Sequence, residues 1–308
     1  MKAFDSFRTH RRGHSRSPAA ALALLAAVML GSALAVACGA SDGAGEGSPP
    51  GTPTQTPATT ASSSGTASPA ADQMSVRVYF LRGEKLGVAE RLVPRSEAVA
   101  TAAMTVLCLG PNAEEAKAGL GSAVPAGTEL RSVSVKDGVA TVDLSGDFAS
   151  GGGSLSMQAR VAQVVYTLTQ YPTVEAVDLR MDGEPLTELG GEGLVLDPGQ
   201  TRADWEGFEP AIFVERPGVG AVLSSPFVLE GTAMVFEGSF MAELEDDSGA
   251  QLVKMPVQAS AGGPERGDFR EDVTYTTAAT GGTLIVYDQS MEDGSRQDEV
   301  RITVTFAP

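Results

Sequence analysis

The sequence predicts two folded units of different class: an α+β or α/β unit, with helices on a mixed sheet, over residues 74–200, and an all-β sandwich over residues 208–308. In the first unit, stretches with the two-residue alternation of strands are interleaved with stretches of helical spacing. In the second, about seven short segments rich in Val, Ile, Phe, Tyr and Thr are separated by turn residues, and no convincing helix interrupts them. The first 73 of the 308 residues differ in composition and need a separate interpretation.

Residues 1–37 have the composition of a secretory signal peptide. Cationic residues precede an uncharged apolar run, Ala19–Ala37, which is mostly Ala and ends immediately before Cys38. The segment Ala35-Val36-Ala37-Cys38 resembles the lipobox of bacterial lipoproteins, in which the Cys becomes lipidated, although Ala35 stands where Leu is usual. A transmembrane anchor is the alternative, because about 20 apolar residues span a bilayer. We expect an extracytoplasmic protein that is lipid-anchored through Cys38 to the outer face of the cytoplasmic membrane.

Residues 38–73 predict a disordered tether. After the Cys, this segment consists mainly of Gly, Ser, Thr, Ala and Pro and contains no large apolar residue before the folded unit. Such a composition does not bury enough apolar surface to offset the entropy of ordering the chain. A flexible chain of this length spans roughly 30–35 Å. We therefore expect the folded units to stand off the membrane, and the Ser, Thr and Pro content leaves O-glycosylation open.

The first unit begins with one strand and two helical segments. Ser75–Leu81 alternates apolar residues in the manner of a half-buried strand. Ser96–Leu109 has helical spacing with Ser96 as its expected cap, and Gly110-Pro111 ends it. A short second helical turn starts at Pro111, where the fixed φ of proline suits the first turn of a helix.

The rest of the first unit alternates strands with a second long helix. Leu130–Val135 and Val139–Leu144 predict a hairpin, because the Asp137-Gly138 pair between alternating apolar runs is a strong turn signal. Leu155–Leu168 has helical spacing, and Val174–Met181 returns to a strand. The order β, β, α, β, β, α, β, β predicts helices packed on one mixed sheet.

These residues resemble the GerMN domain, a module named after a spore-germination lipoprotein. The resemblance rests on motifs that follow one another along nearly all of the unit: Val78-Tyr79-Phe80, Leu92-Val93-Pro94, Leu109-Gly110-Pro111, Gly119-Leu120, Val124-Pro125, Gly127-Thr128, Val135–Ser145 and Val164–Thr169. It implies a small α/β scaffold used for protein assembly, and it supplies no active-site residue. GerMN domains also occur in envelope lipoproteins of bacteria that form no spores, so germination is expected only if the host sporulates.

A connector, Asp197–Glu209, separates the two units, and we expect its Trp205 to be a packing anchor. The strands predicted beyond the connector are Ala211–Val214, Phe227–Leu229, Met234–Leu244, Leu252–Ala259, Val273–Thr277, Thr283–Tyr287 and Val300–Phe306. The turns predicted between them contain Pro217-Gly218, Asp247-Ser248-Gly249, Gly262-Gly263-Pro264, Gly281-Gly282 and Asp293-Gly294. This pattern is typical of an antiparallel β-sandwich.

The second unit resembles the immunoglobulin-like Gmad2 domain, which is found beside GerMN domains. The residues that carry the resemblance are Ile212-Phe213-Val214, Pro217-Gly218, Ser225-Pro226-Phe227, Glu230–Ala233, Val235–Gly238, Asp293-Gly294-Ser295 and Ile302–Phe306. The resemblance implies a module that presents loops or edges to partners, in an adhesive or scaffolding role.

Composition argues against most kinds of catalysis and against nucleic-acid binding. His10 and His14 both lie in the predicted signal peptide, so the processed chain would contain no histidine for general-base chemistry. From Cys38 onward, 17 Lys and Arg stand against 38 Asp and Glu, a formal charge of −21 that disfavours phosphate backbones. No nucleophile elbow, phosphate loop or dinucleotide fingerprint is present. Cys108, within an apolar stretch, is expected to be a small buried hydrophobe.

Two acidic runs, Glu243–Asp247 and Asp288–Glu299, invite a calcium interpretation. A calcium loop opening at Asp288 would need Gly at its sixth position, where Asp293 stands. We therefore expect solvated turns between strands, with calcium binding left open. The sequence predicts no catalytic residue, no cofactor and no metal site.

The predicted function is that of a lipid-anchored extracytoplasmic scaffold or adaptor for envelope protein assembly, and not an enzyme. Its expected partners are envelope proteins or further copies of the chain, with the membrane reached through the N-terminal lipid and no nucleic acid bound. The alternative is a peptidoglycan-binding or sensor-modulating accessory lipoprotein. A cell-wall hydrolase is a third class, which the absence of histidine disfavours.

Overall fold

The structure, a computed structural model, describes residues 72–191 and 193–308. The predicted signal peptide, Cys38 and all but the last two residues of the predicted tether lie outside the described residues. Gln73, assigned to the tether from sequence, is already the first residue of a strand.

The first sheet is antiparallel and contains three strands in the order β2-β1-β3. Its strands are β1 (Gln73–Arg82), β2 (Lys85–Pro94) and β3 (Leu120–Gly121). The alternating side chains Val76, Val78 and Phe80 are buried, as the period of the strand predicts. Tyr79, on the opposite face, is also fully buried, because the second domain covers that face.

Two helices follow this hairpin. They are α1 (Val99–Leu109) and α2 (Ala113–Lys117). Ser96 does not cap α1: the cap position is Ala98, and Ser96 Oγ accepts a hydrogen bond from Ala98 N–H at 3.1 Å. By contrast, Asn112 and Glu115 form a reciprocal capping box at the start of α2, which fixes this short helix after the proline.

The second sheet is mixed and has the order β4-β5-β6-β7. Its strands are β4 (Leu130–Lys136), β5 (Val139–Leu144), β6 (Ala176–Met181) and β7 (Glu184–Pro185), and α3 (Ser154–Thr169) joins the parallel pair β5 and β6. The predicted hairpin turn is confirmed. Asp137 and Gly138 have φ of 51° and 82°. Both values lie in the left-handed region, as a two-residue type I′ turn requires.

The strands of the first unit thus form two larger sheets and a separate two-stranded hairpin instead of the single mixed sheet expected from sequence. Helix α3 lies along the edge of β1, where a further strand would otherwise pair. Gln163 Nε2 donates to Tyr79 O at 3.1 Å, and Tyr79 N–H donates to Thr167 Oγ1 at 3.2 Å. Gln170 Nε2 donates to Arg77 O at 2.9 Å. Polar side chains of α3 therefore form the hydrogen bonds that an adjacent strand would otherwise form with the backbone of β1. The sequence pattern alone predicted such a strand.

A short hairpin and a 3₁₀ segment lead to the second unit. The hairpin pairs β8 (Glu188–Leu189) with β9 (Leu194–Val195), and the 3₁₀ segment spans Arg202–Phe208. Trp205 in this segment is buried, and its Nε1 donates to Gln200 Oε1 at 2.9 Å. It is a packing residue, as expected.

The second unit is a β-sandwich of a three-stranded and a five-stranded sheet. The smaller sheet has the order β10-β12-β15, from β10 (Ile212–Arg216), β12 (Phe227–Ala233) and β15 (Gly267–Val273). The larger has the order β11-β17-β16-β13-β14, from β11 (Val222–Leu223), β13 (Ser239–Asp246), β14 (Gln251–Gln258), β16 (Gly281–Gln289) and β17 (Arg296–Phe306). All pairings are antiparallel except that of β11 with β17.

Three predicted elements of the sandwich were placed wrongly. The strand expected at Val273–Thr277 instead ends at Val273, and β13 begins only at Ser239 because a 3₁₀ turn precedes it. Gly281-Gly282, expected in a turn, belongs to β16. A Cβ on Gly282 would lie 2.2 Å from Glu245 O and 2.7 Å from the Phe306 ring, so close packing and not a turn requires this glycine.

Among the described residues, no helix has the length and apolar character needed to cross a membrane.

Candidate functional site

The junction between the two domains is built around three buried aromatic rings. Tyr79 comes from β1, Tyr166 from α3 and Phe213 from β10, and all three are almost fully buried. The ring centroids are 5.7 Å apart for the two tyrosines, and Phe213 lies 6.0 Å from Tyr79 and 5.9 Å from Tyr166. These tilted and edge-on arrangements are favourable for aromatic pairs. The cluster joins a strand and a helix of the first domain to the first long strand of the sandwich.

An arginine and a glutamate cover this cluster. The guanidinium carbon of Arg202 lies 4.7 Å from the centroid of the Tyr166 ring and 5.5 Å from that of Tyr79. Arg202 forms a salt bridge with Glu215, whose Oε2 also accepts a hydrogen bond from the Tyr79 hydroxyl at 2.9 Å. Burial, together with the charge of Glu215, raises the pKa of Tyr79 above its ordinary value, so the phenol remains a hydrogen-bond donor.

Glu209, a buried carboxylate, also contacts both domains at the junction. It accepts hydrogen bonds from the Tyr166 hydroxyl at 2.6 Å and from Thr232 Oγ1 at 3.1 Å. Arg266 Nε lies 2.9 Å from Glu209 Oε2, and Arg266 also donates to Pro210 O. The charge of Glu209 is therefore compensated inside the protein, as a buried charge requires.

Backbone contacts also cross the junction. Glu90 N–H donates to Val219 O, and Val219 N–H donates to Val88 O, both at 2.8 Å. A Cβ on Gly218 would lie 2.9 Å from the backbone carbon of Ala89, so only glycine allows this approach. The loop after β10 thereby adds a β-bridge to β2. Ionic, aromatic and backbone contacts therefore all cross the junction between the two domains.

An exposed groove of about 510 Å³ lies at one end of the sandwich, beside the hairpin that joins β16 and β17. Phe236 and Met291 line it and are 65% and 86% exposed, among the most exposed large apolar side chains in the described part of the chain. Glu237, Asp288 and Glu292 line the same groove, and none of these carboxylates forms an ion pair with another described residue. We term these five residues the sandwich groove. Exposed apolar side chains bordered by unpaired charge are typical of a recognition surface.

The acidic run Glu243–Asp247 is only in part the solvated turn expected from sequence: Asp247 is exposed in the turn, but Glu243–Asp246 belong to β13. Glu243 lies in β13 and is buried, with Lys254 Nζ at 2.7 Å from one carboxylate oxygen and Arg296 at 2.5 Å from the other. The Tyr287 hydroxyl donates to it at 2.6 Å. Burial raises its pKa, but Lys254, Tyr287 and Arg296 outweigh that effect, so the pKa of Glu243 lies below its ordinary value. Side chains from three neighbouring strands thus shield a carboxylate whose immediate sequence is acidic.

The acidic run Asp288–Glu299 does contain the expected turn. Asp293 accepts hydrogen bonds from the backbone and hydroxyl of Ser295, which lower the pKa of Asp293 to about 2. Within residues 72–191 and 193–308, no group of three or more His, Cys, Asp or Glu side chains is arranged to hold a metal ion.

Cys108 is half-buried and forms no disulfide with a described residue, and burial raises the pKa of its thiol to about 11. It is therefore a protonated, packed thiol, close to the buried hydrophobe predicted from sequence. The predicted lipidation residue, Cys38, lies outside the described part of the chain. Local sequence patterns do not reveal the junction contacts or the sandwich groove. Only Met291, a lone large apolar residue within an acidic hairpin, left a local signal.

The geometry defines a two-domain protein whose domains share a polar and aromatic junction. Residues 77–187 match the Germane family of sporulation and spore germination. Residues 211–295 match Gmad2, the immunoglobulin-like domain of bacterial spore germination. The chain therefore joins a GerMN-type domain to a Gmad2 immunoglobulin-like domain and is a protein of the spore-germination type. The immunoglobulin-like sandwich expected from sequence is thereby confirmed.

Among known proteins, the chain is similar to the spore germination protein GerM of Bacillus subtilis (strain 168), with 32% identity over 147 residues. That match covers 46% of this chain and 40% of the relative, so the chain spans about two fifths of its length. The solved tandem GerMN domains of GerM from Bacillus subtilis share 25% identity, with a TM-score of 0.39 and 59% of each chain covered. The first GerMN domain alone shares 29% identity, with a TM-score of 0.37, and covers 42% of this chain and 99% of that one.

Proposed function

We propose that this protein is a non-enzymatic adaptor of a spore-germination-type envelope assembly, anchored by lipid on Cys38 at the outer face of the cytoplasmic membrane. The two family matches support the germination context. The similarity to a spore germination protein of Bacillus subtilis points in the same direction.

The observation that carries the proposal is the domain junction. An adaptor must hold two binding surfaces at a defined separation, and interdomain motion is the usual behaviour of domains joined by small polar interfaces. Here the buried Glu209 binds Tyr166 of the first domain and Arg266 of the sandwich, and the largely buried Glu215 binds Tyr79 of the first domain and Arg202 of the connector. Such a junction positions the sandwich relative to the first domain.

We assign the sandwich groove as the docking surface, and its occupant as a cationic segment of another envelope protein that carries a large apolar side chain. Residues 201–308 contain 7 Lys and Arg against 19 Asp and Glu, a formal charge of −12. This charge steers cationic partners toward the sandwich. Phe236 and Met291 supply the apolar contact that a docked side chain would bury.

Photo-cross-linking of the full chain in its own membranes tests this assignment. A photoreactive amino acid at position 291 is expected to capture one reproducible protein partner, and Phe236→Ser is expected to reduce the captured amount to background. Val195→Ser is the matched control, because Val195 is similarly exposed, at 72%, but belongs to the first domain. Capture that is absent, or equal in the two variants, contradicts the docking surface. Sedimentation of the protein with purified cell wall, abolished by Phe236→Ser, would instead favour a peptidoglycan-binding accessory.

The anchor is tested separately by labelling cells with a radioactive or clickable fatty acid. The unmodified chain is expected to carry the label and to fractionate with membranes, and Cys38→Ala is expected to lose the label. Label retained in Cys38→Ala would exclude lipidation at this residue without bearing on the groove.

A further inference from the structure

A second cavity, of about 200 Å³, lies where the first domain covers the sandwich. The hairpin of β1 and β2 lines one side of it, and β10 and β17 line the other, so each of the two sheets of the sandwich contributes a wall. The walls are mainly aliphatic and are supplied by Leu86, Val88, Ile212, Val300 and Ile302. The cavity is distinct from the sandwich groove, which lies beside β13 and the β16–β17 hairpin.

Arg82 lines this cavity with an incompletely bonded guanidinium. Its Nη1 donates to Arg301 O at 2.8 Å, across the domain boundary. Its Nε is buried and has no hydrogen-bond partner, the one such side-chain atom among the described residues. Within the same residues, no carboxylate forms an ion pair with Arg82. Burial lowers the pKa of Arg82, in keeping with a charge that the protein leaves uncompensated.

Nε is enclosed by protein, whereas Nη2 beside it forms no hydrogen bond with a described residue and is the donor of this guanidinium that a ligand can reach. A guanidinium N–H forms a charge-assisted hydrogen bond with a carboxylate oxygen. A buried donor without a partner is costly, and it commonly marks a place where water, an ion or a ligand binds.

The remaining charges at the cavity agree with an anionic ligand. Lys85 Nζ donates to Gly207 O at 2.7 Å and forms no ion pair with a described carboxylate. Glu299, although it also lines the cavity, is already bound by Arg296 and Arg301, each at 3.1 Å. Asp298 is exposed. Arg82 and Lys85 thus have no carboxylate partner, Glu299 is neutralised by the protein, and Asp298 lines the cavity without an ion pair among the described residues.

We propose that this interdomain cavity binds a small amphiphilic carboxylate, with its carboxylate on Nη2 of Arg82 and a branched aliphatic group against Leu86, Ile212 and Ile302. The cavity volume is below the range of roughly 300–1,000 Å³ that is usual for sites of drug-sized ligands, so the ligand is small. Because both domains contribute walls, its binding stabilises their contact. This proposal does not depend on the adaptor function or on the sandwich groove.

Calorimetry on the full chain with N-acetyl-L-leucine tests the proposal. N-acetyl-L-leucinamide, which has the same shape without the charge, is expected to bind at least about tenfold more weakly, because it loses the charge-assisted hydrogen bonds. Arg82→Gln is expected to weaken N-acetyl-L-leucine by a similar factor. Arg95→Gln is the matched control, since Arg95 follows the same hairpin and also donates to a carbonyl but is exposed.

Methyl NMR of the unmodified protein keeps the test decisive even if Arg82→Gln does not fold. Shifts on adding N-acetyl-L-leucine are expected to concentrate on Leu86, Val88, Ile212 and Ile302. A tetrapeptide that ends in leucine tests whether the cavity takes the C-terminus of a peptide as well as a small carboxylic acid. Binding of either probe through Arg82 supports the proposal. The proposal is overturned if neither probe binds or if N-acetyl-L-leucinamide binds as tightly as N-acetyl-L-leucine. It is also overturned if folded Arg82→Gln binds N-acetyl-L-leucine with unchanged affinity, or if the shifts lie on methyl groups outside the cavity.

Discussion

The domain junction and the sandwich groove both contain aromatic and acidic side chains, but these are buried and paired at the junction and exposed and, among the described residues, unpaired in the groove. At the junction, Glu215 is largely buried, bonded to Tyr79 and paired with Arg202. In the groove, Glu237 and Phe236 face solvent, and no described cation pairs with Glu237. Aromatic and acidic residues therefore determine domain arrangement where they are buried and paired, and they are available for recognition where they are not.

The sharpest way to test this comparison is to remove one aromatic ring from each region. Phe213→Ala is expected to lower the free energy of unfolding by about 3–5 kcal/mol, the usual cost of deleting a buried phenylalanine side chain. Phe236→Ala, in the groove, is expected to change it by less than about 0.5 kcal/mol, as exposed substitutions do. Urea unfolding of both variants provides the measurement. Equal losses would mean that the groove is part of the folded core.

Removing one carboxylate from each region is expected to give a smaller difference. Glu215→Ala leaves Arg202 and the Tyr79 hydroxyl without their acceptor, and we expect a loss of about 2 kcal/mol, since hydrogen bonds to charged groups contribute roughly 1.5–3 kcal/mol. Glu237→Ala serves as the control and is expected to be near neutral. If Glu215→Ala is equally neutral in urea unfolding, the ionic part of the junction does not hold the domains together.

The smallest expected effect is on the pH dependence of stability and comes from Glu243, a buried carboxylate of the sandwich that lies outside both regions. Its pKa in the folded protein is below the ordinary value. The stability it contributes is therefore complete above the unfolded pKa of about 4.3 and is lost as pH falls through the lower folded value.

Glu243→Gln is accordingly expected to reduce the slope of stability against pH below about pH 4.3, a region set by the ordinary pKa of glutamate. Glu237→Gln, at an exposed carboxylate for which no such bonding exists among the described residues, is expected to leave the acid slope of the unmodified protein unchanged. Thermal unfolding from pH 6 to pH 3 compares the three proteins. An unchanged slope in Glu243→Gln would show that pairing with Lys254 and Arg296 contributes nothing to acid stability.

Much of the fold was predictable because its signals are local. The Asp137-Gly138 turn and the periods of α3 and β5 depend on residues a few positions apart, and the structure contains all three. The missed features depend on distant residues. Gly282 has the local pattern of a turn residue, but the Phe306 ring packs against it. Glu243 has the local pattern of a solvated acid, but side chains from three other strands surround its carboxylate.

The sequence by itself determined the immunoglobulin-like class of the second domain, the order of the two domains, several of the turns and the family resemblances. Periodicity and turn preference are properties of neighbouring residues, so no partner across the chain is needed to read them. Only the tertiary structure decided where the charges matter. Arg202 meets the Tyr79 hydroxyl across 123 positions, and Arg82 meets Arg301 O across 219. The burial and pairing of these side chains depend on such long-range packing. They are what distinguishes a domain junction from a recognition surface of similar composition.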